Sequence, residues 1–184
     1  MPRGPDHEVL ALLARGDYRG FDLAYERHAE RIFGFLLRLA GSRAVAEDLF
    51  QHTFLRLAEV GPRLRVDSNL RAWLFTVARN AFHSHARAQS IAARAEPELQ
   101  LLSRADAVDP ESGLALDELE RALGSLGERD RELLLLLGVE GLSPAEVAAV
   151  LDLDRATLRK RVSRARARLA EALDDRATVV AKSG

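Results

Sequence analysis

The chain has 184 residues, 47% hydrophobic and 30% charged, with a formal net charge of −1. That length serves one domain or two small ones with buried cores, and the absence of Cys excludes disulfides and thiolate metal sites. No apolar run approaches a membrane span, and the opening "MPRGPDHEVL" lacks the basic-then-apolar pattern of a signal peptide, so a soluble protein of the cytoplasm is expected, with no direct membrane insertion.

Ala, Leu, Arg and Glu dominate and no segment alternates for long, so the expected fold class is all-α. A first helix is predicted from Asp6 to Arg15, broken by "GDYRG". A second runs from about Phe21 to Ala40, with Phe21, Tyr25, Ile32, Phe33, Leu36 and Leu39 as its apolar stripe; "GS" at Gly41–Ser42 ends it. A third spans about Ala44 to Glu59. The loop "GPRLRVDSN" follows, with Gly61 and Pro62 as the stop and Ser68 or Asn69 as the next cap. A fourth spans about Leu70 to Ala93. The only Trp, both Tyr and all seven Phe fall between Tyr18 and Phe82, so the two halves are expected to do different jobs.

Residues 95–113 read as an acidic linker: residues 95–118 carry seven acids against one Arg, and Pro97 and Pro110 interrupt any periodicity. Four more helices are predicted, at about 114–124, 128–138, 144–151 and 155–173. These give two small helical domains, 1–94 and 114–175, with a tail at 176–184. "SPAE" is a strong helix start, because Ser143 can cap, Pro144 suits the first turn and Glu146 completes a capping box. Asp154 is placed to cap the last helix. Two short helices joined by "DLD", the second strongly basic, suggest a helix-turn-helix, although the turn lacks the Gly often found there.

Arg155–Arg168 holds seven basic residues and no acid. At 100° per residue, Leu158, Val162, Ala165 and Leu169 share one face. Lys160, Ser163 and Arg164 point the other way, with Arg159 at the margin. Ala156 and Ala167 are also outward, and Arg155, Arg161, Arg166 and Arg168 flank the seam. Solvated helices usually mix charge signs at four-residue spacing; this one suits a major groove, with outward side chains at base edges and flanking Arg at phosphates.

The fourth helix, "NLRAWLFTVARNAFHSHAR", mixes Arg, Asn, His and rings, which suits unpaired bases. Trp73, Phe75, Val77 and Phe82 are read mostly as core. Catalysis is not expected: there is no Gly-rich phosphate loop and no HExxH, and His83 and His85 diverge by about 200° on a helix, too far to share a metal. No cofactor or metal is anticipated.

"AEDLFQHTFLRL" (Ala46–Leu57) followed by "AWLFTVARN" (Ala72–Asn80) resembles the polymerase-binding and promoter-melting region of bacterial sigma factors. Leu126–Leu169 resembles their C-terminal promoter-binding region. These two regions alone, joined by a short linker, resemble the extracytoplasmic-function (ECF) group. The resemblance implies a factor that binds core RNA polymerase, directs it to promoters and assists opening. It carries core binding to Asp48 and Gln51, with Leu49 and Phe54 as packing, or as this domain's own core. The loop Pro62–Asn69 matches the segment that captures a flipped −10 base. Asn69, Arg79, Asn80, His83 and Arg87 are the candidate −10 residues. Arg155, Arg159, Lys160, Ser163 and Arg164 are the candidate −35 residues. The resemblance also implies promoter DNA and an anti-sigma protein as partners, and a monomer when free. Departures are His52 and Ser84 where acids are usual, Gly127 for Pro, "DLDRAT" in the turn and Lys160 for Ser. Two other readings are a sigma-like decoy for an anti-sigma protein, which should lose the basic helix, and a helix-turn-helix regulator, which should carry a dimerisation segment.

Overall fold

The computed structural model describes residues 6–95 and 114–182. The linker expected over 95–113 lies outside them except for Ala95. Among the described residues there are eight α-helices and no strand: α1 (His7–Ala14), α2 (Tyr18–Ala40), α3 (Arg43–Val60), α4 (Leu70–Ala95), α5 (Leu114–Ser125), α6 (Glu128–Leu134), α7 (Pro144–Leu151) and α8 (Arg155–Lys182). The chain divides into two units, residues 1–108 and 109–184.

In the first unit α2 packs on α1, α3 and α4. Each helix contributes one apolar stripe: Val9, Leu10 and Leu13 from α1; Ile32, Phe35, Leu36 and Leu39 from α2; Leu49, Phe54 and Leu57 from α3; Leu70, Leu74, Phe75 and Phe82 from α4. Phe35 meets Phe75 edge to face at 5.2 Å. The stripe of α2 differs from the expected one. Phe21, Tyr25 and Phe33 stand at the edge of the core, in a ladder of rings with Phe50 and Phe54, whereas Phe35 takes the interior place.

α2 begins at Tyr18, earlier than expected, because Asp17 caps it by accepting the Arg19 N–H at 3.0 Å. Gly20 is therefore inside the helix and not a breaker. A β-carbon there would stand 2.7 Å from the Leu13 backbone nitrogen, so α1 and α2 approach more closely than any other residue permits. At its far end α2 stops on Gly41, whose φ of 64° is the left-handed conformation that glycine adopts without strain.

The α1–α2 contact also holds a polar tie. Asp6 precedes α1, but its carboxylate does not cap that helix; it turns to α2 and accepts from His28 Nε2 at 3.3 Å and Arg27 Nη1 at 3.5 Å. Asp6 and His28 are both buried.

In the second unit, Ala122, Leu123, Leu126, Leu133, Leu135, Leu136, Leu142, Val147, Val150, Leu158 and Ala165 form the core. Arg131 closes the end of α5 by donating to the carbonyls of Leu123, Gly124 and Leu126 at 3.1, 2.6 and 3.4 Å. Helix α6 was expected to run to 138; instead Leu135–Val139 forms a π-helical turn, closed by Glu140 N–H to the Leu135 carbonyl at 2.9 Å. α8 continues to Lys182, well past the expected end near 173.

The hydrogen bond from His28, with support from Arg27, holds the Asp6 carboxyl below its ordinary value of 3.8. The stability it supplies is therefore present above that pH and lost as pH falls through the lower folded-state value. Asp6→Asn is expected to cost about 1–3 kcal/mol in urea titrations at pH 7. Wild type and variant should converge in acid; a constant difference down to the acid limb would exclude the tie.

Candidate nucleic-acid interface

The helix-turn-helix is built by two caps and one strained residue. Ser143 Oγ accepts the Glu146 N–H at 3.3 Å while Glu146 Oε2 accepts the Ser143 N–H at 2.8 Å, the reciprocal box anticipated for α7. Asp154 starts α8: its Oδ1 accepts the N–H groups of Ala156 and Thr157, both at 2.9 Å, and its Oδ2 accepts the Thr157 hydroxyl at 2.6 Å. The Thr157 hydroxyl bond, above all, depresses the Asp154 carboxyl below the ordinary range, so the cap stays ionised at neutral pH. Between the caps, Asp152 takes the position where Gly was missed. Its φ of 51° and ψ of 54° are left-handed, and the Leu153 N–H reaches the Ala148 carbonyl at 2.9 Å. Asp is among the few side chains that tolerate this region.

On α8, Leu158 and Ala165 are buried, and Val162 and Leu169 are half-buried. All five expected −35 residues, Arg155, Arg159, Lys160, Ser163 and Arg164, are exposed. Ala156 and Ala167 are exposed as well. The flank holds two features the wheel did not find. Arg168 is ion-paired with Asp130 near the start of α6, and Arg129 joins Arg161, Arg164 and Arg168 around a depression beside it. Arg129 sits outside the basic run, so charge counting along α8 passes it over. On the other flank a groove lies between Leu137, Pro144, Leu158 and Val162, with Arg159, Ser163 and Arg166 at its rim.

In the first unit, Asn69 caps α4 by accepting the Ala72 N–H at 2.9 Å. Along α4, Asn80 and Arg87 are exposed; Arg79 and His83 are half-buried. Arg79 Nη1 donates to Asn80 Oδ1 at 3.3 Å, and His83 lies against the Phe82 ring, centroids 5.5 Å apart. Phe75 and Phe82 are core, but Trp73 is only half-buried. At 100° per residue Trp73, Asn80, His83 and Arg87 share one stripe, so the structure adds a ring to three of the polar candidates, with Arg79 beside the stripe and bonded to Asn80.

On α3, Asp48 and Gln51 are exposed, and so is His52. Leu49 and Phe54 are buried, 6% and 4% exposed. They pack α3 into its own domain. The apolar side chain that does reach out on the Asp48–Gln51 face is Leu55, 63% exposed; being one of many leucines, it carried no signal in the sequence.

The family model "Sigma-70 region 2" matches residues 24–91, and "Sigma-70, region 4" matches residues 116–169. The ECF RNA polymerase sigma factor EcfG of Rhodopseudomonas palustris is 36% identical over 143 residues, 76% of this chain and 77% of that protein. The chain belongs to the ECF sigma factors of the sigma-70 family. RNA polymerase sigma-H factor of Pseudomonas aeruginosa is 28% identical, over 91% of this chain and 93% of its own. Among solved structures, the sigma factor RpoE in complex with the anti-sigma factor NepR from Bartonella quintana aligns with a TM-score of 0.74 at 31% identity, covering 84% of this chain and 96% of that one. No described helix of this sigma factor is long and apolar enough to cross a membrane.

The strain at Asp152 gives a prediction. Asp152→Val should destabilise by about 1–2 kcal/mol, since a β-branched residue resists positive φ, while Asp152→Gly should stay within about 0.5 kcal/mol of wild type. Thermal melts of the full chain decide it; equal losses for both would mean that the turn relaxes to another conformation.

Proposed function

We propose that this sigma factor binds core RNA polymerase through the exposed face of α3, reads the −35 duplex with α8 and holds unpaired −10 DNA with α4 and the loop before it. The observation that carries the reading is the pairing of two unlike surfaces in one chain. One is a capped helix-turn-helix whose second helix turns five polar residues outward. The other is a helix face that mixes an indole, an amide, an imidazole and a guanidinium. Duplex recognition needs the first, with hydrogen-bonding groups at base edges and cations at phosphates. Single strands need the second, since rings stack on any base and cations follow the backbone. A regulator that only binds duplex DNA has no use for it, and a decoy has no use for the first.

Asp48 and Gln51, with Leu55 between them on the same face, are the polymerase contact, and Leu49 and Phe54 hold α3 in place behind it. The chain contributes no bond-making chemistry: RNA synthesis belongs to the polymerase, and the site of action is the cytoplasm. An anti-sigma protein is the expected regulator, on the strength of the likeness to the RpoE complex. The protein acts as a monomer when free.

Titration into core RNA polymerase tests this directly. Saturable one-to-one binding is expected, with Asp48→Ala and Gln51→Ala each weakening it about five- to tenfold. No binding at micromolar concentration would leave the chain as a decoy or a plain DNA-binding protein.

The two DNA surfaces should also separate in their effects. Arg159→Ala or Lys160→Ala should weaken duplex promoter binding and lower the salt slope by about one ion each. Asn80→Ala should leave recruitment intact and slow opening about fivefold, the worth of one hydrogen bond. Equal losses for all three on a pre-melted template would contradict this division.

A further inference from the structure

The loop proposed to capture a −10 base is the least regular part of the first unit, yet its backbone is held at several points. Gly61–Arg63 forms one 3₁₀ turn. The Leu64 N–H reaches the Gly61 carbonyl at 3.1 Å, and the Ser68 N–H reaches the Arg65 carbonyl at 2.9 Å. Arg65 and Asp67 make a double hydrogen bond, Nε to Oδ1 at 2.9 Å and Nη2 to Oδ2 at 2.8 Å. Asn69 joins the loop to α4. The bonds within the loop are local, and Asn69 holds only its last residue to α4, so none of them sets where the crest of the loop stands relative to the domain.

Two contacts from α1 do. His7 Nδ1 lies 3.1 Å from the carbonyl oxygen of Val66, across 59 positions of sequence. At the other end of the loop, a β-carbon at Gly61 would stand 3.2 Å from Leu13 Cδ2, so α1 lies directly beneath the 3₁₀ turn. α1 is in turn fastened to α2 by the close approach at Gly20 and by the buried Asp6–His28 pair. Val66 is 42% exposed, a large apolar side chain left at the tip of a loop flanked by Arg63 and Arg65.

We infer that His7 is a positioning residue for promoter opening: its ring donates to the Val66 carbonyl and fixes the crest of the base-capturing loop to α1. A carbonyl only accepts, so Nδ1 must carry the hydrogen. Both the neutral ring with that tautomer and the imidazolium satisfy this, so the tether does not require a particular charge state. The benefit is preorganisation. Extruding a base costs a few kcal/mol, and a loop already held in place spends none of its binding on ordering itself.

The inference rests on the base-capture reading, and two measurements separate them. Holoenzyme assembled with core polymerase is given fork templates whose single-stranded −10 segment, taken from a promoter selected out of a random library, is intact or abasic at one position at a time. Wild type should discriminate against one abasic position. His7→Ala should lose about three- to tenfold of that discrimination with −35 duplex binding unchanged. His7→Asn, whose amide nitrogen can donate from much the same place as Nδ1, should retain it. Hydrogen exchange of the full chain should show faster exchange at residues 64–69 in His7→Ala and not in His7→Asn, with α4 unaffected. Unchanged exchange and discrimination in His7→Ala would overturn the inference, as would a His7→Asn variant as defective as His7→Ala. Faster loop exchange, with a wild type indifferent to every abasic position, would keep the tether and reject base capture.

Discussion

Each helix that faces outward here is held by a narrow apolar stripe, and everything functional follows from the angle that remains. On α8 the burial of Leu158 and Ala165 leaves most of the circumference to the seven cations of Arg155–Arg168. On α3 the burial of Leu49, Phe54 and Leu57 pushes Asp48, Gln51 and Leu55 to the opposite side. The hydrophobic effect does not recognise DNA or polymerase, but by fixing the rotation of each helix it decides which polar groups can. A change that rotated α8 by one residue would bury guanidinium groups at a cost far above what any single DNA contact returns.

The two units solve this with different materials. The first uses rings: Phe35 on Phe75 in the interior, and the Phe21–Tyr25–Phe33–Phe50–Phe54 ladder at the edge. The second has no aromatic residue and uses leucine, valine and alanine with backbone-directed polar bonds: the Ser143–Glu146 box, the Asp154 cap and the three carbonyls gathered by Arg131. A small aliphatic core supplies limited stabilisation, so well-capped helix ends carry a larger share there.

Much of this was legible in the sequence, for identifiable reasons. Helix existence, the caps at Ser143 and Asp154 and the inward face of α8 follow from local rules that need no knowledge of neighbours. What was not legible depended on neighbours. Gly20 looked like a breaker because its reason, the backbone of Leu13, comes from another helix. The stripe expected for α2 included Tyr25 and left out Phe35; the order reverses because α4 covers the side that holds Phe35 and leaves Tyr25 at the edge. Leu49 and Phe54, expected as packing beside Asp48 and Gln51 or as this domain's own core, are buried, which the sequence alone could not show. Arg131 and Arg129 carried no signal, since one serves a helix end before it in the chain and the other meets α8 only in space.

The π-helical turn at Leu135–Val139 bears on what a change of length would do to this chain. Such a turn is an α-helix with one residue more per loop of the backbone. Deleting a residue there returns an ordinary turn and spares both flanks. The same deletion inside α6 would rotate everything after it by about 100°, taking Leu133 and Leu136 from the core. The turn ahead of the helix-turn-helix is therefore a place in the second unit where one residue can be lost while α8 keeps the same face outward.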